Sequence, residues 1–284
     1  MVENKFIFYG VRGSYPVPSI HTAHYGGNTA SILVEAGADI IILDAGTGII
    51  NIGKQLRENY PQRKHIDIFL THLHIDHIQG IPFFEPVFDR QYVITIHSNQ
   101  TPDTPLEKTI FALFNQPLSP IGNAGIKARI EFNVLDTVLP RPVAIGPHII
   151  LTYIKDPLHP TAGVLFYKVT IGGKHLVYAT DVESPDGFSA EHVAFIEKAD
   201  VLIHDSMYFE WDYFSPAFSK KGFGHSTVSM AVANAIRGKV NKLFLFHYNP
   251  NYSDTDLEQM LTLARATFAQ TYLSEELKKF SLRR

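Results

Sequence analysis

Short runs of Ile, Val, Leu and Phe punctuate the whole chain, separated by polar turns or by stretches with helical spacing. Runs of this kind, rich in β-branched residues, predict strands. They fall at 4–9, 30–36, 39–43, 66–71, 92–97, 129–135, 148–154, 163–171, 174–180, 200–204 and 242–246. Helical spacing predicts helices at 48–59, 105–114, 189–198, 226–237 and 254–269. In the last of these, Leu257, Leu261, Ala264 and Phe268 recur along one face. Ser253 or Asp254 offers it an N-cap, and Ser226 or Thr227 caps the helix before it. Gly172-Gly173 between two strand-like runs predicts a tight hairpin. The alternation predicts an α/β chain, with two sheets covered by helices. Segments 11–29 and 205–225 carry neither period, and long irregular segments are often functional.

Several apolar runs end directly in a side chain able to bind a metal. Ile40-Ile41-Ile42-Leu43 ends at Asp44, Leu176-Val177-Tyr178-Ala179 leads to Asp181, Val201-Leu202-Ile203 ends at His204-Asp205, and Leu243-Phe244-Leu245-Phe246 ends at His247. Asp156-Pro157-Leu158-His159 follows another run. Strands of one sheet could bring such residues to a common rim and hold them rigidly.

The run Ile66-Asp67-Ile68-Phe69-Leu70 opens the densest cluster, Thr71-His72-Leu73-His74-Ile75-Asp76-His77. Imidazole with carboxylate suits zinc and similar divalent ions. On a strand end His72 and His74 point the same way, whereas Asp76 and His77 need a turn to share a cavity. That favours two neighbouring metal positions over one. Of the chain's fourteen histidines, His21, His24, His65, His97, His148, His175 and His192 have no supporting partner spacing.

Composition narrows the classes. The 284 residues are 45% hydrophobic, enough for a sizeable core, and one domain over 1–284 is expected. Net charge is −3, which gives no global pull toward nucleic acid or membrane. Cysteine is absent, so no thiolate serves as ligand or nucleophile. Met1 to Tyr15 lacks a signal-peptide pattern, and no apolar run approaches membrane-spanning length. A cytoplasmic protein is expected.

From about Gly10 to Asn249 the residues resemble the metallo-β-lactamase superfamily of hydrolases. The H-x-H-x-D-H at 72–77 is its central signature, and His159, Asp181 and His247 follow in the family's order. Asp44-Ala45-Gly46-Thr47-Gly48 resembles its early aspartate-glycine motif. The resemblance implies a four-layer αβ/βα sandwich with metals at one edge of the two sheets. It implies that His72, His74 and His159 hold one ion, that Asp76, His77 and His247 hold a second, and that Asp181 bridges them. Asp44 would support the ligands from behind, with His204 beside Asp205 as a further supporting residue. Two divalent metal ions are the expected cofactors. Zinc is the first choice, and manganese and iron accept the same shell.

Within that superfamily, Gly224-His225-Ser226-Thr227 downstream of His204-Asp205-Ser206 resembles the ribonuclease Z and phosphodiesterase branch. There an acidic residue orients a histidine beside the scissile phosphate. Asp205 and His225 match those positions, although the family commonly has glutamate where this chain has Asp205. Gly10 to Pro18 followed by Tyr25-Gly26-Gly27-Asn28-Thr29 is similar to a bacterial subgroup of cyclic phosphodiesterases. Its glycines would let backbone approach the metal site, or the segment plugs the sheet edge.

The implied reaction is metal-assisted hydrolysis of a phosphodiester. Asp76 orients the nucleophile and His225 spreads the developing charge. The expected substrate is a small, cyclic nucleotide or cyclic phosphate. Candidate substrate contacts are Asn28, Tyr208, Trp211 and Ser226, although most aromatics of 207–223 are expected to pack. The alternatives are a tRNA 3′-processing nuclease, a lactonase or thioesterase, and, least favoured, a non-enzymatic nucleotide-binding module. Net acidity and the absence of a segment resembling a tRNA-gripping arm disfavour structured nucleic acid as partner. Homodimers are common, so a homodimer is the assembly allowed for.

Overall fold

The computed structural model describes residues 4–160 and 162–282. The expected domain of 1–284 therefore includes residues 1–3, 161, 283 and 284 outside the described residues. In chain order the strands and helices are β1 (Lys5–Gly10), β2 (Ser31–Ala36), β3 (Asp39–Leu43), α1 (Ile49–Asn59), β4 (His65–Phe69), α2 (Ile75–Ile78), β5 (Val93–Ser98), α3 (Leu106–Ala112) and β6 (Arg129–Val134). Then follow β7 (Val143–Ile145), β8 (Ile149–Asp156), β9 (Val164–Ile171), β10 (Lys174–Ala179), α4 (Ala190–Ile196), β11 (Val201–Asp205) and α5 (Glu210–Tyr213). The chain closes with α6 (Val228–Arg237), β12 (Leu243–Phe246), α7 (Asp254–Arg265), β13 (Thr271–Leu273) and β14 (Lys279–Ser281).

These strands build two seven-stranded sheets, ordered β14-β1-β2-β3-β4-β5-β6 and β13-β12-β11-β10-β9-β8-β7. Strands β3 to β6 run parallel, as do β10 to β13. The parallel strands read as continuous apolar runs because both faces are covered. In the first sheet Ile41, Leu43 and Phe69 join the core shared with the second sheet. Their neighbours Ile42, Ile68 and Leu70 pack with Ile49, Ile52 and Leu56 of α1 and Leu106 and Ile110 of α3. Across the second sheet, α6 packs on β11 and β12 and α7 on β13. The layers are thus helix, sheet, sheet, helix, the expected four-layer sandwich.

All eleven predicted strands are present. Strands β7, β13 and β14 escaped prediction because three residues are too few to show a period. Ile171 pairs with Lys174 across Gly172-Gly173, the predicted hairpin. Thr227 Oγ1 caps α6 by accepting from Met230 N at 3.3 Å, and Ser253 Oγ caps α7 by accepting from Asp256 N at 3.3 Å. Segment 205–225 contains the single turn α5, and 11–29 a turn of 3-10 helix at Ile20–Thr22. Among the described residues no helix is long and apolar enough to cross a membrane.

Candidate metal centre

The parallel halves of both sheets end at the same rim. β3 ends before Asp44, β10 leads to Asp181 and β12 to His247, and all three residues are left-handed, with φ of 58°, 54° and 61°. This conformation turns the chain sharply at the strand end. It costs a non-glycine residue on the order of 1–3 kcal/mol, which the packed sheets sustain. Asp and His tolerate it better than β-branched residues do. The segment after β4 turns into α2, whose first residues place Asp76 and His77 beside the same rim.

Groups of potential ligand atoms converge there. His72, His74 and His159 form one and Asp76, His77, Asp181 and His247 another, while Asp205, His225 and His247 form a third that overlaps the second through His247. His159 Nε2 lies 3.2 Å from His74 Nδ1. His247 Nε2 lies 3.3 Å from His77 Nε2 and 3.2 Å from Asp76 Oδ2. Asp181 sits between the first two groups. Its Oδ1 is 3.7 Å from His72 Nε2 and 4.0 Å from His159 Nε2. Its Oδ2 is 3.2 Å from His77 Nε2 and 3.3 Å from His247 Nε2. One carboxylate therefore presents one oxygen to each group.

The donor set fits divalent cations. His72 Nε2 is buried with no hydrogen-bond partner, a costly arrangement for a nitrogen that nothing ligates. Burial drives the pKa of His72 well below the usual imidazole value and lowers that of His74, and it pushes His159 down to about 4. These three rings are neutral at pH 7, the form that binds metal. Burial would raise Asp76 and Asp181, but neighbouring histidines outweigh it and hold both carboxyls well below their usual range. Burial would likewise lower His77, yet Asp181, Asp44 and Asp76 lift it well above normal in the metal-free protein.

Supporting contacts fix the ring orientations. Asp44 Oδ2 accepts from His77 Nδ1 at 2.8 Å and from the Tyr178 hydroxyl at 2.7 Å. Asp44 Oδ1 accepts from Thr71 N at 2.8 Å. Thr71 Oγ1 lies 3.1 Å from His72 Nδ1. His159 Nδ1 donates to the Gly224 carbonyl at 3.2 Å. His72, His77 and His159 thus turn their other nitrogen toward the cluster, the usual logic of an orienting outer shell.

The N-terminal segment does approach the site. Ser14 N donates to Asp76 Oδ2 at 2.7 Å. A Cβ on Gly13 would meet His247 Cε1 at 2.5 Å, so only glycine permits that approach. Arg12, fully buried, holds the segment through Gly26, Asn249 and Tyr252 carbonyls.

His225 lies against the first two groups. Its ring stacks on His247 with centroids 5.0 Å apart and meets His159 edge-on at 5.7 Å. Its Nδ1 lies 2.8 Å from Asp205 Oδ2, so the shorter aspartate still reaches. Asp205 also accepts from Ser226 N at 3.0 Å, Met207 N at 3.1 Å and Asp181 N at 3.1 Å. Burial opposes a charge on His225, but Asp205 outweighs it and raises its pKa to about 9.

Other predicted positions sit apart. His204 and Asp205 alternate across β11, so His204 faces away, bonded to Asn234 Nδ2 at 3.0 Å and stacked on Phe188. Asn28 spends its amide on Glu276 Oε2, and its Oδ1 accepts from Thr47 Oγ1. Ser226 Oγ donates to the Val182 carbonyl at 2.6 Å. Tyr208 is buried with its ring 6.1 Å from that of His225, and Trp211 is exposed and stacked on Phe209. Sequence reading missed Ser14, Thr71, Tyr178 and Glu183, which accepts from Gly224 N at 2.8 Å just before His225. Only the place of Thr71, directly before His72, carried a signal.

Residues 39–248 match the family model described as a beta-lactamase superfamily domain. The chain belongs to this superfamily. It is a metal-dependent hydrolase, and the family's fold together with the His and Asp clusters implies divalent metal ions. A protein named Ribonuclease Z from Bradyrhizobium sp. is 27% identical, over 98% of this chain and 99% of its own length. The human tRNase Z, short form, shares the fold with TM-score 0.68 and 17% identity, covering 99% of this chain and all of that one. A diphosphatase from the PhnP family does so with TM-score 0.71 and 16% identity, covering 99% and 98% of the two chains.

These likenesses correct one expectation. Net acidity disfavoured a structured nucleic acid as partner, yet a relative along nearly the whole length of this superfamily member is named as a ribonuclease, and a tRNase has the same fold. Net charge sums over the whole surface, whereas a polyanion meets only the local field at the site.

Proposed function

We propose that this hydrolase is a phosphodiesterase with a pair of divalent cations, zinc by preference, acting on RNA of the tRNA-precursor kind. The observation that carries the reading is the Asp205–His225 pair, 2.8 Å apart, beside both ligand groups. The full-length similarity to a ribonuclease Z supports RNA over a smaller ester. His72, His74 and His159 would hold one ion, Asp76, His77 and His247 the other, with Asp181 between them. When bound, the ions acidify water and draw negative charge from the phosphate.

The chain's own residues supply the rest. Asp76, held by Ser14 N, is placed to orient the attacking water. The attacking water gives up one proton to solvent as its oxygen bonds to phosphorus, and the bond from phosphorus to the leaving oxygen breaks. His225, its Nδ1 engaged by Asp205, has Nε2 left to donate a proton to that oxygen. Such a donor contributes about 3 kcal/mol by the measure of single oxyanion-hole deletions.

A small cyclic phosphodiester is the second reading, favoured by the similarity of Gly10 to Pro18 and Tyr25 to Thr29 to a bacterial subgroup of cyclic phosphodiesterases. The test is turnover by metal-loaded protein of a 3′-extended tRNA transcript, cyclic mononucleotides, bis-p-nitrophenyl phosphate and an acyl ester. Endonucleolytic cleavage of the transcript is expected. Cleavage of cyclic nucleotides alone selects the second reading. Acyl-ester turnover unaffected by His225→Ala, with no phosphodiester cleaved, overturns both.

A further inference from the structure

Besides the stacked Phe209–Trp211 pair, the apolar side chains between Asp205 and His225 include two contrasting sets. Met207, Tyr208 and Tyr213 are buried and pack with Met230 in a small core of their own. Phe214, Phe218 and Phe223 are instead 53%, 61% and 45% exposed. Lys220 Nζ sits 3.8 Å over the Phe218 ring and 5.6 Å from that of Phe223, and Lys221 Nζ 4.8 Å over Phe214. Exposed aromatic rings concentrated on one short segment mark a binding surface, whereas isolated ones do not.

The segment is also fixed in place. Glu183, two residues past Asp181, accepts from the Tyr213 hydroxyl at 2.5 Å, Gly222 N at 2.8 Å and Gly224 N at 2.8 Å. Lys220 N donates to the Tyr213 carbonyl at 3.0 Å. The Gly224 carbonyl in turn accepts from His159 Nδ1, and Phe223 is two residues from His225. The backbone that carries the exposed rings and ammonium groups is therefore tied to Glu183 and His159.

We propose that this segment is a platform for single-stranded nucleic acid, resting on the phosphodiesterase reading above. Phe218 and Phe223 stack the unpaired bases next to the scissile phosphate, and Lys220 and Lys221 take the adjoining phosphates. Aromatic faces beside cations are the chemistry that holds single strands with little regard to sequence. A folded protein partner would want the apolar rings but gains nothing from two lysines laid over them, whereas a polyanion needs both.

The test measures binding of a short single-stranded oligoribonucleotide by metal-loaded protein, alongside KM and kcat for the 3′-extended transcript. The variants are Phe218→Ala with Phe223→Ala, Phe218→Leu with Phe223→Leu, and Lys220→Ala with Lys221→Ala. Both aromatic pairs are expected to weaken oligonucleotide binding by about tenfold or more. Leucine fills volume without stacking, so wild-type affinity in the leucine pair overturns the platform. Tyrosine at both positions should restore affinity. The lysine pair should reduce the salt slope of binding by about 1.4, two single-strand phosphate contacts. KM should rise with kcat nearly constant and metal content unchanged. Wild-type binding in the alanine variants rejects the platform while leaving the phosphodiesterase reading standing. Absence of phosphodiester turnover in the wild type sinks that reading, and the binding assay still decides the platform.

Discussion

His77 Nδ1 meets Asp44 Oδ2 across 2.8 Å, and neither side chain is exposed. Asp44 contributes no atom to either ligand group, yet it sets which nitrogen of His77 faces them. Asp44→Asn keeps the volume but presents an amide that can donate to Nδ1 and reverse the tautomer. Metal affinity at the Asp76 group should fall about 10- to 100-fold. Competition with a chelator of known affinity measures it, and an unchanged constant would refute the orienting role.

Asp181 offers one oxygen to each group. Asp181→Ala should lower the number of ions bound per chain from two toward one, because the Asp76 group loses a charged donor. Mass-spectrometric metal counting after gel filtration reads this directly. Two ions retained at unchanged affinity would show that the carboxylate does not bridge.

His225 should separate catalysis from metal binding. His225→Ala is expected to leave ion content intact and to slow phosphodiester turnover roughly 100- to 1,000-fold. Loss of metal in this variant would instead place His225 among the ligands.

The same histidine predicts a pH dependence of stability in the metal-free protein. Its folded pKa, about 9, lies above the ordinary imidazole value of about 6.5. The charged ring therefore binds its proton more tightly in the folded state. The stabilisation is fully present below about pH 6.5 and is lost as pH rises through about 9. Denaturant unfolding of the metal-free wild type should weaken across that window, and His225→Gln should flatten the decline. Equal slopes in the two proteins would contradict it.

Gly224 has φ of 84°, and a Cβ there would meet His159 Nδ1 at 2.5 Å. Gly224→Ala should cost on the order of 1–3 kcal/mol in stability and weaken binding at the His72 group. Thermal unfolding with and without metal checks both. A variant as stable and as well metallated as the wild type would mean the loop relaxes freely.

Sequence alone determined the strand runs and the sharp hairpin at Gly172-Gly173, because each is written in local spacing. His72, His74, Asp76 and His77 were legible for the same reason, whereas the expectation that His159, Asp181 and His247 join the cluster came from the resemblance to the superfamily. The short edge strands β7, β13 and β14 were not, since three residues carry no period. Nor did the sequence tell His204 from Asp205: adjacent residues on a strand face opposite sides, and only the packed sheet decides which side holds the site. Whether Asn28 would meet a substrate or Glu276, that Ser14 and Tyr178 would reach the centre, and that Glu183 would tie down the loop before His225 depended on contacts between segments distant in the chain. Such contacts arise when two sheets close on a common core, and no local pattern records them.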